Sequence, residues 1–144
     1  MADLTNLGLA ANKRLRQGAL EYGASTAMNN FSRMLSQQRG QRNLQDFTTS
    51  SNKNLQKLNT AYSQRGLRNS GVRKQGVTDF TKDATQQRQD IVDQNRNEQT
   101  QFDMNDANYQ AAWDALQKEV ELDKTGSINN LFAELSKYYP FLGS

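Results

Sequence analysis

Carboxylates come closest to a catalytic pattern in this sequence. Asp90 and Asp93 lie three residues apart, as do Asp103 and Asp106, and this spacing brings two side chains to one face of a helix. Paired carboxylates can carry acid–base chemistry or bind a metal ion. Both pairs lie among polar residues, so we interpret them as parts of a solvated acidic face. The alternative is a catalytic or metal-binding pair.

Composition removes most other catalytic chemistry. The 144 residues include no histidine and no cysteine, so the usual base for a serine nucleophile, the thiolate ligands and the commonest transition-metal ligand are all missing. Four residues separate Gly66 from Gly71, but no Lys-Ser/Thr pair follows as in a phosphate-binding loop. We therefore predict a non-enzymatic protein with no cofactor, no metal and no small-molecule substrate.

The composition also favours long helices. Proline occurs once, at Pro140, and glycine only nine times, so few positions interrupt a helix. The sequence lacks the alternating runs of β-branched and aromatic residues that indicate strands. We predict an all-α fold, in which a long antiparallel helical hairpin, rod-like and similar to a coiled coil, has a short N-terminal arm and a short C-terminal helix.

Glycines and apolar spacing divide the chain into three segments. We expect an N-terminal arm at 1–23, a long hairpin at 24–124 with its turn at 65–71, and a short C-terminal helix with an apolar tail at 125–144. The arm is interpreted as a short amphipathic helix that docks on the hairpin, or alternatively as a flexible arm that becomes ordered on a partner.

Helix ends are predicted from capping residues. Lys124 and Gly126 are expected to end the second long helix, and Ser127 to cap the short third one. At the turn, Gly66 can adopt the left-handed conformation that closes a helix. Asn69 or Ser70 can cap the next one. A connector this short makes its flanking helices antiparallel neighbours.

Apolar residues recur at helical spacing in the first long helix. Met28, Phe31 and Leu35 form an early block. A later block steps 3-4-4-3-4, at positions 44, 47, 51, 55, 58 and 62. This later series is nearer to an eleven-residue than to a seven-residue repeat, which predicts a nearly straight or slightly right-handed seam. Gly40 lies between the blocks, and we expect a kink or weak point there.

The second long helix has a heptad over its last third. Positions 102, 106, 109, 113, 116 and 120 step 4-3-4-3-4. Gln87, Asn95 and Glu98 occupy the preceding seam positions. Polar residues there weaken a tight coiled coil within one chain. They indicate either a solvated section or hydrogen bonds to other subunits.

Charge differs strongly between the two halves of the chain. Residues 1–76 contain 12 basic and 3 acidic residues, a net charge of +9, whereas residues 77–144 contain 6 and 12, a net charge of −6. The halves should attract each other within one hairpin or between neighbouring copies. A closed hairpin would leave a positive tip at its turn, which could meet nucleic acid or phospholipid, or otherwise an acidic protein surface or solvent. The turn and candidate partner or phosphate contacts are Arg65, Gly66, Leu67, Arg68, Asn69, Ser70, Gly71, Arg73 and Lys74.

The C-terminal tail is the most apolar segment of the sequence. We expect it to fold back near Trp113, or alternatively to anchor in a pocket of another subunit. The candidate subunit-anchor residues are Trp113, Phe132, Tyr138, Tyr139, Phe141 and Leu142. No window approaches the roughly 18 apolar residues that span a bilayer, and the N-terminus lacks the pattern of a signal peptide. We therefore expect an uncleaved chain without membrane contact.

Residues 62–71, Tyr-Ser-Gln-Arg-Gly-Leu-Arg-Asn-Ser-Gly, resemble the helix-turn-helix connector of many small virion proteins of tailed bacteriophages. The whole chain is similar to such proteins in its richness in Asn and Gln and its lack of cysteine. The resemblance implies a helical protein that is assembled in the host cytoplasm and packs in many copies, with itself and other virion proteins, at the portal, neck, tail or internal core. It implies no catalytic residues.

Two alternatives to this structural role remain. The first is a DNA-facing or DNA-delivery (ejection) protein of the virion, which would use the basic hairpin tip. The second is a free adaptor or regulator that forms coiled coils with a host protein.

Overall fold

Two helices account for almost all of the described chain. A computed structural model describes the backbone of residues 2–138, and the side chains of residues 6, 8–130 and 133. Helix α1 spans Ala2–Gln64 and helix α2 spans Gly71–Tyr138. The two helices pack against each other, and no strand occurs within residues 2–138. The predicted all-α helical hairpin is therefore confirmed.

The turn closes α1 through a Schellman motif. Gly66 has a φ of 69°, the left-handed conformation predicted for it. Its N–H donates to the carbonyl of Ser63 at 3.1 Å, and the Leu67 N–H donates to the carbonyl of Tyr62 at 2.9 Å. These two bonds satisfy carbonyls that the end of a helix would otherwise leave without partners.

Ser70 caps the beginning of α2. Its Oγ accepts a hydrogen bond from the Arg73 N–H at 3.2 Å, and its carbonyl accepts the Lys74 N–H at 3.2 Å. Of the two candidates from the sequence, Asn69 and Ser70, the serine is the cap. Gly71 is the first residue of α2.

Two helix boundaries expected from the sequence are absent. α1 runs from Ala2 into the hairpin with no break at residue 23, where the predicted arm would end. α2 likewise continues through Lys124, Gly126 and Ser127. A glycine inside a helix costs only about 1 kcal/mol relative to alanine. Isolated glycines among residues that favour a helix therefore lower the stability of the helix without ending it.

The hairpin forms two compact units. The terminal unit comprises Met1–Asn29 and Met104–Ser144, and the turn unit comprises Asn30–Asp103. In each unit a segment of α1 packs against a segment of α2. The fold therefore brings residues far apart in sequence together within each unit.

On α1, the seam between the helices contains the later predicted series, at positions 44–62. It does not contain the early apolar block of Met28, Phe31 and Leu35. The predicted positions from 44 to 62 on α1, and the heptad on α2, are all at least partly buried, and Val120 is fully buried. In contrast, Phe31 and Leu35 are exposed in the turn unit, and Met28 is 68% exposed in the terminal unit. The early apolar block therefore lies outside the seam.

An eleven-residue repeat explains why Phe31 and Leu35 lie outside the seam in the turn unit. Stepping back eleven residues from positions 44, 47 and 51 gives Arg33, Ser36 and Gly40, and these residues face α2 while Phe31 and Leu35 do not. Each residue turns an α-helix by about 100°. A seam at Ser36 therefore turns Leu35 towards solvent.

Substitution of Gly66 tests the turn. We expect Gly66→Ala to lower the free energy of unfolding by about 1–2 kcal/mol, because an L-residue is strained at positive φ. Urea unfolding followed by circular dichroism, at one fixed protein concentration, measures this change.

Gly71→Ala is the matched control, since a Cβ there would meet no atom within 4 Å and Gly71 lacks the positive φ. It should leave the stability unchanged or raise it slightly. Equal effects of the two substitutions would contradict the left-handed cap at Gly66.

Candidate functional site

A polar seam joins the helices in the turn unit. We define it as Arg33, Ser36 and Gly40 of α1 together with Asn95, Glu98, Gln99 and Asp103 of α2. Ser36, which is 5% exposed, donates from Oγ to Glu98 Oε2 at 2.5 Å. Arg33 Nη2 donates to Asp103 Oδ1 at 2.9 Å. Glu98 therefore bonds within its own chain, and does not need the subunit contact considered for it from the sequence.

Gly40 lets the Asn95 side chain approach the α1 backbone closely. It is buried, and a Cβ placed on it would lie 2.5 Å from Asn95 Nδ2. α1 runs through Gly40 as a continuous helix. The glycine predicted to be a weak point thus serves as the surface against which the Asn95 side chain packs.

The terminal unit has its own polar contact. Asn29 is 5% exposed, and its Nδ2 donates to Asp106 Oδ1 at 2.6 Å. Asp103 and Asp106, paired by the sequence, therefore each bind a residue of α1. Of the other pair, Asp93 accepts from Gln89 on the same helix, and Asp90 is exposed. Among the described residues, no cluster of acidic side chains is suited to hold a metal ion.

An aromatic stack packs the terminal unit beyond Asn29. The rings of Tyr22 and Trp113 stack with centroids 6.0 Å apart and planes 17° apart. Tyr22 Oη also donates to Gln110 Oε1 at 2.6 Å. Gly18 leaves space for Trp113 and Leu116. Trp113, predicted as a subunit anchor, packs within its own chain.

The other predicted anchor residues lie where the structure describes no side chain. Phe132 and Tyr138 belong to α2, but their side chains lie outside the described part. Tyr139, Phe141 and Leu142 lie outside the described residues altogether. Their roles remain predictions from the sequence.

Ion pairs connect the basic helix to the acidic one. Arg14 binds Glu119 at 2.7 Å and Asp123 at 3.0 Å. The hydrogen bond that Arg14 donates to Glu119, and the charge of that carboxylate, raise the pKa of Arg14 above the usual value. With Arg33 and Asp103, all the ion pairs found among the described residues join α1 to α2. The charge asymmetry thus acts within the hairpin, although exposed pairs contribute only about 0–1 kcal/mol each.

The structure separates the four predicted tip cations into two kinds. Arg73 is half-buried, and its guanidinium donates to Asn59 Oδ1 at 2.9 Å and to the Arg68 carbonyl at 2.7 Å. It braces the turn against α1. Arg65, Arg68 and Lys74 are exposed. These three side chains present their charge to solvent at the turn, whereas Arg73 is held against α1.

Sequence reasoning missed several of these contact residues. Arg33, Ser36 and Asn29 are polar or charged, so a search for apolar periodicity passes over them. The signal that finds Arg33 and Ser36 is the eleven-residue repeat carried back from the later apolar block. No comparable signal identifies Asn59 as the partner of Arg73, because that contact depends on how the turn folds.

Comparison with known proteins finds no relative of this chain. No protein-family model matches the chain, and neither the curated proteins nor the solved structures yield a match. In the described part of the chain, neither helix has a stretch long and apolar enough to span a membrane.

The contact at Gly40 gives a direct test of the polar seam. We expect Gly40→Ala to lower the free energy of unfolding by about 1–3 kcal/mol, because the added methyl group overlaps the Asn95 side chain. In an Asn95→Ala background the same change should be neutral or stabilising, by up to about 1 kcal/mol, since alanine favours the helix.

Gly23→Ala supplies the control, because a Cβ at Gly23 meets no atom within 4 Å. Urea unfolding of the four variants and the wild type gives the comparison. If Gly40→Ala stabilised the protein as much as Gly23→Ala does, the close approach of α1 to Asn95 would be wrong.

Proposed function

We propose that this protein is a non-enzymatic structural component that works as an assembly of several copies. The observation that carries the proposal is the small apolar core of the hairpin. Val120 is the only hydrophobic side chain fully buried in the described part, while ten other large hydrophobic side chains there are exposed. Two helices with so little apolar burial are marginally stable alone, so contacts with further subunits supply the missing burial.

A tailed-phage virion is the setting we propose for this assembly. What supports it is the resemblance of residues 62–71, and of the overall composition, to small helical virion proteins. The protein would be made in the host cytoplasm and would pack against copies of itself and other virion proteins at the portal, neck, tail or internal core. Long exposed helices suit such a place, because they offer extended lateral surfaces to neighbours.

The assembly proposal predicts that folding and association are coupled. As protein concentration rises, we expect the weight-average mass, the helical circular dichroism and the thermal midpoint to increase together, because binding between folded copies stabilises them. Sedimentation velocity, combined with circular dichroism on the same samples, measures all three. A fully folded monomer, unchanged across the whole concentration range and insensitive to salt, would refute the proposal.

A DNA-facing role is the second candidate, and the three exposed cations at the turn favour it. Among the described residues, no ion pair involves Arg65, Arg68 or Lys74. If they contact phosphates, changing all three to Gln should reduce the slope of log K against log salt for duplex DNA by about 2 to 3. Fluorescence anisotropy across a salt series measures this slope.

The control for the DNA test removes equal charge elsewhere. Lys53, Lys57 and Lys82 are exposed and lie away from the turn in sequence. Changing them to Gln alters the net charge by the same amount, and this variant should keep most of the wild-type slope. Equal slopes for both triple variants would show that the turn is not a dedicated DNA contact.

A further inference from the structure

Helix α1 carries an apolar face that points away from α2 in the terminal unit. Its side chains are all exposed, with Leu20 at 75%. Their spacing of i, i+4, i+7 and i+8 places them on one side of a helix, opposite Gly18 and Tyr22, which face α2. We call this set the α1 outer face: Leu20, Ala24, Ala27 and Met28.

The turn unit also exposes large apolar side chains of α1. Phe31 is 54% exposed, and Met34 and Leu35 are exposed as well. They follow the α1 outer face at helical spacing in the sequence. Three side chains of this size at adjacent helical positions form more than scattered surface hydrophobicity.

Helix α2 also has an apolar face in the terminal unit, but most of its side chains are small. Small alanines lie between two bulky residues, and all the side chains are exposed. They lie on the side of α2 opposite Tyr109, Trp113 and Leu116, which are part of its seam with α1. Lys118 lies on the same side, and its aliphatic stem can cover apolar surface while its amine reaches water. We call the apolar set the α2 outer face: Met104, Ala107, Ala111, Ala115 and Leu122.

The overall charges of the two helices indicate which faces belong together. Residues 2–64 of α1 contain 8 basic and 3 acidic residues, whereas residues 71–138 of α2 contain 8 and 12. Two α1 helices packed together would bring like charges close, whereas α1 against α2 brings opposite charges together. The pairing of Arg14 with Glu119 shows the same preference within one chain.

Charges next to the two faces follow the same division. Lys13 and Arg16 outnumber Glu21 beside the α1 outer face, so its surroundings are net positive. Asp114 and Glu121 lie beside the α2 outer face, and all these residues are exposed. These acidic residues outnumber Lys118, so the surroundings of the α2 outer face remain net negative. The borders of the two faces are therefore complementary in charge.

Side-chain size agrees with this pairing. Leu20 and Met28 are large and project from α1, while Ala107, Ala111 and Ala115 leave a shallow surface on α2. Large side chains against small ones allow two helices to approach closely and interdigitate.

We propose that the α1 outer face of one copy packs on the α2 outer face of a neighbouring copy. The contact is heterologous, since each copy uses a different face towards each neighbour, and it therefore propagates into a ring or filament. This inference rests on the proposed self-assembly, and it names the two surfaces through which assembly occurs.

Two face variants test the pairing. Leu20→Glu/Met28→Glu disrupts the α1 outer face, and Ala107→Glu/Ala111→Glu disrupts the α2 outer face. Each variant alone should associate about 100-fold or more weakly than wild type, because large apolar burial is lost or blocked. Gln45→Glu/Asn54→Glu, at exposed positions of α1, makes the same charge change as the first variant and should associate like wild type.

Mixing the two face variants gives the decisive result. The first variant keeps an intact α2 outer face and the second an intact α1 outer face, so the mixture should form a one-to-one dimer and nothing larger. Sedimentation velocity of each variant and of the mixture, with circular dichroism as a check on folding, reads this out. A dimer in the mixture shows that both variants fold, and a mixture without a dimer counts against the contact when circular dichroism shows both variants to be as helical as wild type.

Each other outcome has a definite meaning. A monomeric wild type would refute the proposed assembly, and this contact with it. A wild type that assembles, while the face variants assemble equally well or their mixture forms no dimer, would refute only the contact. Self-association of the α2-face variant alone would assign the interface to α1 against α1. Binding of wild type, but not of the α1-face variant, to anionic lipid vesicles with unchanged self-association would assign the α1 outer face to lipid.

Discussion

The close approach of α1 and α2 through small and polar side chains determines which residues the hairpin leaves exposed. In the turn unit, Gly40 admits the Asn95 side chain and Ser36 donates to Glu98. Because each helical residue turns by about 100°, a seam at these positions directs Phe31 and Leu35 outwards. The register in which the two helices pack thus produces both the small apolar core and the exposed apolar surface.

Such a seam favours one register of the two helices. A hydrogen bond to a charged group, such as that from Ser36 to Glu98, adds about 1.5–3 kcal/mol net, and leaving a buried polar group without its partner costs about 1–3 kcal/mol. A shift of register would separate Ser36 from Glu98 and move Gly40 away from Asn95. The polar seam therefore penalises misaligned hairpins. In the terminal unit, the stack of Tyr22 on Trp113 adds apolar packing between the helices.

The parts of the fold that were predictable from sequence are those set by local chemistry. Gly66 was the residue able to adopt positive φ at the turn, and Ser70 was one of two available caps. The heptad that includes Trp113 and Val120 was predicted because its seam residues, apart from Asp106, are apolar. On α2, Asn95 and Glu98 were predicted at seam positions. Their partners on α1 were not predicted, because hydrophobic periodicity selects Met28, Phe31 and Leu35, the apolar residues nearest to the true seam. Gly126 was wrongly predicted to end a helix. The free energy that its low helix propensity costs is smaller than the free energy gained by continuing the helix. At the turn, the sequence could not distinguish the bracing Arg73 from the exposed Arg65 and Arg68.

The register of α1 can be measured with single thiols, because the chain has no cysteine of its own. Ser36→Cys places a thiol in the seam and Leu35→Cys places one on the adjacent exposed position. The two variants would be labelled with a maleimide at the lowest concentration at which circular dichroism still shows the helices folded. We predict fast labelling of Leu35→Cys and labelling slowed by burial for Ser36→Cys. The opposite order would place Leu35 between the helices and contradict the polar seam on which this description of the protein depends.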